Sequence, residues 1–88
     1  MARPSALLSA RRRGRHSEED VVVVTTTRGD AAGSHQAAYE AIRRARIRPS
    51  VVRAGTIEMT FDRREISQTQ AEQVVEDALR AGGVEVYR

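Results

Sequence analysis

The chain has 88 residues, with 15 basic and 12 acidic side chains and a formal net charge of +3 at pH 7. This length fits a single domain. The absence of cysteine excludes a disulfide framework and thiolate metal sites. No apolar run approaches the ~20 residues that a membrane-spanning helix needs, so we expect a soluble protein with no membrane partner.

All of the basic residues are arginine, and none is lysine. One explanation is codon bias in a GC-rich genome, which leads us to expect a bacterial, cytoplasmic protein or one encoded by a phage. The other is selection for guanidinium groups, whose planar fork pairs with phosphate or carboxylate in a bidentate manner. The sequence leaves both explanations open.

Residues 1–19 form an arginine-rich segment. Five arginines precede the first acidic residue: Arg3, Arg11, Arg12, Arg13 and Arg15. Blocks of like charge repel one another, stay solvated and often serve as arms that bind nucleic acid, although a solvated tail without a partner has the same composition. We therefore predict a flexible or partner-ordered N-terminal extension, followed by one domain over residues 20–88.

The first half of that domain reads as a strand and a helix. Val21 to Thr27 is a β-branched run, and its four consecutive valines indicate a central strand covered on both faces. Gly29 to Gly33 interrupts the run, and Ser34 is a candidate N-cap. Apolar residues then recur at helical spacing as far as Ala45, which predicts a helix ending near Arg46.

The second half reads as a hairpin, a helix and a last strand. Ser50–Arg53 and Thr56–Asp62 form strands joined at Ala54-Gly55, a turn that would place Val52 opposite Ile57. A capping box at Ser67 and Gln70 begins an amphipathic helix that Gly82-Gly83 ends. Val84 to Tyr87 follows as a short strand.

The resulting order, β-α-β-β-α-β, is the split βαβ pattern of ferredoxin-like domains. We therefore predict an α+β fold, with two helices on one face of a four-stranded antiparallel sheet and an arginine-rich N-terminal extension. RNA-recognition domains share this topology, but they stack bases on aromatic residues of the first and third strands. Those strands here carry Phe61 alone, which the alternation turns inward, so sequence-specific reading of RNA is disfavoured.

Two surfaces are candidates for binding. Phosphate contacts are predicted for the arginines of the extension and of the first helix: Arg11, Arg12, Arg13, Arg15, Arg43, Arg44, Arg46 and Arg48. A protein interface, formed by homo-oligomerisation through the open face of the sheet or by the extension covering it, is predicted at Val21, Val23, Leu7 and Leu8.

Catalytic and cofactor sites have little support in the sequence. His16 and His35 are the only side chains that titrate near neutrality unperturbed, and neither has an acid at metal-ligand spacing. The Gly29–Ser34 loop lacks both the phosphate-loop and the dinucleotide-binding patterns. We therefore expect no catalytic residue, metal or cofactor. The leading hypothesis is a non-catalytic module that binds nucleic acid through phosphates or joins a nucleoprotein assembly. The alternative is a protein–protein adaptor or small subunit of a larger complex that dimerises through its sheet.

Overall fold

The structure is a computed structural model, and it describes residues 2–14 and 20–88. This part of the chain folds into two helices and a mixed sheet of five strands with the order β3-β4-β2-β1-β5. In chain order the elements are β1 (Ser5–Arg13), β2 (Val21–Arg28), α1 (Ser34–Arg44), β3 (Ser50–Arg53), β4 (Thr56–Asp62), α2 (Gln68–Ala81) and β5 (Glu85–Tyr87). The fold is thus a small α+β arrangement.

Residues predicted to lie in an N-terminal extension instead form β1, inside the sheet. β1 pairs antiparallel with β2 from Ala6–Arg28 to Arg13–Val21, and it pairs parallel with β5. The predicted sheet of four antiparallel strands is therefore corrected to five mixed strands, with β1 inserted between β2 and β5. The physical reason is that Ala6 and Leu8 alternate with exposed residues and are almost fully buried against the helices.

Both helices pack against one face of the sheet, where the apolar core lies. Val22 and Val24 of β2 belong to this core, whereas Val23 points to the opposite face. The helices contribute their apolar stripes, and the largest buried side chains besides those of β2 are Ile42, Ile57, Met59, Val75, Leu79 and Val84. The buried residues of α1 and α2 agree with the predicted apolar stripes, except that Ala45 and Val74 are exposed.

The β3–β4 hairpin has the predicted turn but a different register. Gly55 takes a left-handed conformation (φ 79°) that suits glycine. Val51, rather than Val52, lies opposite Ile57, and the register shifts between Val51 and Arg53. Arg53 pairs with Thr56, so the two-residue turn at Ala54-Gly55 is as predicted. The difference arises beyond the turn, where Val52 is an extra residue in a bulge of β3 and shifts the pairing by one position.

The two helices begin differently. The capping box of α2 is confirmed, since Ser67 and Gln70 exchange both hydrogen bonds. The N-cap of α1 is Gly33 and not Ser34, which is already helical and buried. The Ser34 hydroxyl donates to the Ala31 carbonyl at 2.7 Å and accepts the Ser5 backbone N–H at 3.2 Å, so it fastens the start of β1 to the start of α1.

Neither of the helices in residues 2–14 and 20–88 has the length and apolar character that crossing a bilayer would require.

Candidate nucleic-acid interface

Four arginines cluster where α1 ends and the chain leads into β3. The buried stripe of α1, which includes Ala41 and Ile42, faces the core and leaves Arg43 and Arg44 on the outside. Arg46 and Arg48 follow in the connecting segment and are also exposed. We call Arg43, Arg44, Arg46 and Arg48 the α1 basic cluster.

No carboxylate in the described ranges forms an ion pair with any member of the α1 basic cluster. Glu40, one turn before Arg44, instead accepts a hydrogen bond from Gln36 at 2.8 Å. The last-turn position of Arg43 and Arg44 complements the negative end of the helix dipole. That effect does not extend to Arg48, which lies beyond the helix.

Arg46 occupies a position that ordinarily belongs to glycine. Its φ of 63° is the only positive φ of a non-glycine residue in the described chain. The Arg46 N–H donates to the Arg43 carbonyl and the Ile47 N–H to the Ile42 carbonyl, which together make the Schellman motif at the end of α1. A side chain in this conformation costs about 1–2 kcal/mol, because Cβ crowds the following carbonyl oxygen.

The end of α2 provides an internal comparison. There Gly83 donates to the Arg80 carbonyl and Val84 to the Leu79 carbonyl, so the same motif is formed with a glycine at φ 80°. The chain thus uses glycine at the left-handed position of one helix and arginine at the equivalent position of the other. The fold alone does not require an arginine at position 46.

The surface around the cluster is concave. A depression of about 330 Å³ is lined by Arg43, Arg46, Arg48, Ile47 and Pro49. A neighbouring depression of about 500 Å³ begins on the other side of Arg43 and runs along α1. Guanidinium groups around an open depression of this kind can each donate two hydrogen bonds to a phosphate.

Five arginines elsewhere in the described chain are paired with carboxylates, whereas Arg3, Arg12, Arg13, Arg28 and Arg53 are not. Arg11 lies 3.4 Å from Glu58, Arg63 lies 3.0 Å from Asp20, and Arg64 and Arg80 each lie 2.9 Å from their acids, Asp62 and Glu76. Arg88 bridges Glu72 and Glu76. The carboxylates respond accordingly: hydrogen bonds from Arg64 lower the pKa of Asp62, and those from Arg88 and then Arg80 lower the pKa of Glu76.

The structure does not gather the predicted arginines of β1 into one surface. Because side chains alternate along a strand, Arg11 and Arg13 face away from the helices and Arg12 faces the helix side. Arg12 lines a depression beside the first turn of α2, together with Arg63 and Arg64. Arg15 lies outside the described residues. The hydrogen bond from Ser5 to Ser34 places the start of α1 at the end of β1 that is farthest from Arg13. The α1 basic cluster, at the other end of the helix, therefore lies in the direction of the Arg13 end of the sheet.

The residues predicted to form a sheet interface are divided between the two faces. The prediction of Leu8 as an interface residue is corrected, because Leu8 is 3% exposed and belongs to the core beneath the helices. Val21 and Val23 lie on the open face, but Val23 is fully buried between Arg11 and Thr60 of the flanking strands. The Arg11 guanidinium lies 3.5 Å from Thr25 and reaches Glu58 on β4, so its stem crosses β2 beside Val23.

Leu7 is the predicted interface residue that lies most open to solvent. It is paired with Tyr87 across the β1–β5 ladder, and both side chains are about half exposed on the open face. Tyr87 was not predicted beside Leu7, because residues 5–13 were predicted to lie in an extension and not in a strand. The apolar residues at alternate positions, Ala6, Leu8 and Ala10, with Ser5, Ser9 and Arg11 at the positions between or beside them, are the signal that could have revealed it.

The histidine within the described chain has no catalytic partner. His35 lies in the first turn of α1, 6.5 Å from the Tyr39 ring between centroids, and its buried Nδ1 makes no hydrogen bond. His16 lies outside the described residues. Among residues 2–14 and 20–88, no group of three or more histidine, aspartate or glutamate side chains is arranged to hold a metal ion.

Comparison with known proteins gives no family to which the chain can be assigned. No protein-family model matches it. No curated protein and no solved structure matches it significantly either.

Proposed function

We propose that the protein is a non-catalytic module that binds nucleic acid through phosphate contacts, alone or within a nucleoprotein assembly, and that the α1 basic cluster is its main contact surface. The observation that carries this proposal is the left-handed backbone conformation of Arg46. An arginine retained in a left-handed conformation, among three other arginines without carboxylate partners in the described chain, indicates a use for the guanidinium beyond folding.

We interpret the architecture as a ferredoxin-like split βαβ fold with β1 inserted between β2 and β5. On the open face of its sheet, β2 presents Val21, Val23, Thr25 and Thr27, and β4 presents threonine and acidic residues. These strands offer no aromatic platform for bases on that face. The proposed contact is accordingly the end of α1, and the expected sequence preference is weak, since phosphate contacts carry no sequence information directly.

Salt dependence of binding tests the proposal. Each neutralised phosphate releases condensed counterions, so the slope of log affinity against log salt is about −0.9 per contact on duplex DNA and about −0.7 on single strands. Anisotropy of fluorescein-labelled duplex and single-stranded oligonucleotides should be measured with the full chain between about 50 and 200 mM NaCl. Arg43→Ala with Arg46→Ala should weaken binding to all sequences alike and flatten the duplex slope by about two units.

A matched control removes the same charge elsewhere. Arg64→Ala with Arg80→Ala deletes two guanidinium groups that carboxylates already hold, so the salt slope should stay within about half a unit of the unmodified protein. If both double variants flatten the slope equally, net charge and not the α1 basic cluster determines binding. If the full chain does not bind at the lowest salt concentration, the nucleic-acid proposal is wrong.

The second candidate function is a protein–protein module that self-associates through the open sheet face. Its support is the exposed pair Leu7 and Tyr87, an apolar patch of two side chains on the same face as Val21. Sedimentation equilibrium should then show a dimer that Leu7→Asp converts to a monomer. A protein that is monomeric at every concentration would remove this candidate.

A further inference from the structure

The two edges of the sheet differ in how far they are covered. β5 is a three-residue edge strand, and Arg88, directly after it, folds back onto Glu72 and Glu76 of α2. β3 forms the opposite edge and pairs only with β4 within the described chain. All four of its residues are exposed, including Val51 and Val52, each about half accessible. An edge of this kind presents unpaired backbone N–H and C=O groups to another strand.

Positive charge flanks this edge on both sides. Arg48 lies two residues before β3 and Arg53 ends it, and neither forms an ion pair with a carboxylate of residues 2–14 or 20–88. A second copy pairing antiparallel through β3 would bring two such arginines from each chain to a four-residue seam that holds no acid. Positive charges gathered along one short seam without an acid repel one another, so the charge pattern opposes self-pairing.

The same pattern favours an acidic partner strand. We propose that the β3 edge binds an extended, acidic segment of a partner protein by strand addition. Main-chain hydrogen bonds supply the affinity, Val51 contacts an apolar side chain of the segment on the helix side of the sheet, and Arg48 and Arg53 pair with acids at its two ends. Nucleic acid is a poorer occupant, because β3 has no aromatic side chain on which bases could stack.

The probe is a synthetic peptide in which alternating valine and threonine are flanked by two aspartates at each end, blocked at both termini. Titrated into the ¹⁵N-labelled full chain, it should shift the amide resonances of residues 50–53 and leave those of β5 unchanged. A second peptide keeps the aspartates but carries proline at two central positions, so it cannot add a strand and should bind at least about tenfold more weakly. A third replaces the aspartates by lysine and should not bind.

Charge reversal at one position completes the test. Arg53 is exposed and makes no side-chain hydrogen bond in the described chain, so Arg53→Glu should fold, should bind the acidic peptide about tenfold more weakly and should gain binding of the lysine peptide. Arg53→Gln, which removes the charge without reversing it, should fall between the two.

Four outcomes would overturn the proposal. The first is equal binding of the acidic and proline-containing peptides, which would mean attraction by charge alone. The second is a shift pattern centred outside residues 48–53. The third is concentration-dependent shifts at β3 without peptide, which would show that a second copy occupies the edge. The fourth is the same β3 shifts produced by a single-stranded oligonucleotide, which would assign the edge to nucleic acid.

Discussion

Replacing Arg46 by glycine should raise stability and lower nucleic-acid affinity at the same time. The left-handed conformation costs a side-chain-bearing residue about 1–2 kcal/mol. Glycine avoids that cost but loses about 0.5–1 kcal/mol more backbone entropy on folding. The exposed Arg46 side chain makes no hydrogen bond or ion pair with another described residue, so no compensating contact is lost. The expected net gain is about 0.5–1 kcal/mol, or about 2–8 °C in Tm for a chain of this size.

The assay is thermal unfolding by circular dichroism, combined with the salt-dependent anisotropy experiment. Arg46→Gly should melt higher than the unmodified chain and should lose about one phosphate contact, or about 0.9 of the duplex salt slope. The reverse change in the other helix, Gly83→Arg, is the matched control. A Cβ at position 83 would meet no atom within 4 Å, so its cost should come from the backbone alone. It should destabilise the fold by a similar amount.

Two results would refute this reasoning. If Arg46→Gly melts lower than the unmodified protein, the arginine side chain stabilises the fold and needs no functional explanation. If stability rises but the salt slope is unchanged, the strained residue does not contact phosphate, and the α1 basic cluster loses its central member.

Two further predictions concern stability. Leu8→Ala should destabilise the fold by about 2–4 kcal/mol in urea denaturation, because it empties a core site, whereas Leu7→Ala, half exposed, should change it by less than about 0.5 kcal/mol. Since the folded-state pKa of Glu76 is lowered, chiefly by Arg88, this ion pair stabilises the fold above the unfolded-state pKa of the carboxyl and is lost as pH falls through the folded-state pKa. Arg88→Ala should therefore lower the urea midpoint at pH 7 and have a diminishing effect in acid.

Each of these two predictions has a contrary result. A larger loss from Leu7→Ala than from Leu8→Ala would mean that β1 is shifted by one residue, since such a slip exchanges the two faces of a strand. An Arg88→Ala effect that persists unchanged well below the carboxylate pKa range would show that Arg88 acts through packing and not through its ion pair with Glu76.

The sequence is sufficient to predict those elements in which a hydrophobic periodicity extends over several turns. α2 carries five apolar residues at helical spacing between a capping box and a glycine pair. Both ends agree with the structure, and four of the five apolar residues are buried, whereas Val74 is exposed. Residues 5–13 lack several agreeing signals, because the apolar side chains that face the core from this strand are only Ala6, Leu8 and Ala10. The charge of Arg11, Arg12 and Arg13 dominated the interpretation of this segment. A strand of this composition is stabilised by neighbours that are distant in sequence, and propensity does not report them.

The candidate site was predictable in its residues but not in its geometry. The grouping of Arg43 to Arg48 follows from the sequence, since they surround one helix end. The left-handed conformation of Arg46 does not, because the usual sequence signal for that position is glycine. The engagement of Arg11 by Glu58 depends on the register of three strands, which single-strand patterns do not fix.

The parallel pairing of β1 with β5 bears on how the protein folds. It joins Ser5 to Glu85, which are 80 positions apart in the chain (85 minus 5). β5 has no other strand to pair with in the described sheet, so its ladder hydrogen bonds cannot form without β1. Contacts of such separation carry the largest loop-closure entropy, and folds that depend on them reach the native state more slowly than folds built from local contacts. On a ribosome, a nascent chain ending before residue 85 would leave the outer side of β1 unpaired and open to other strands.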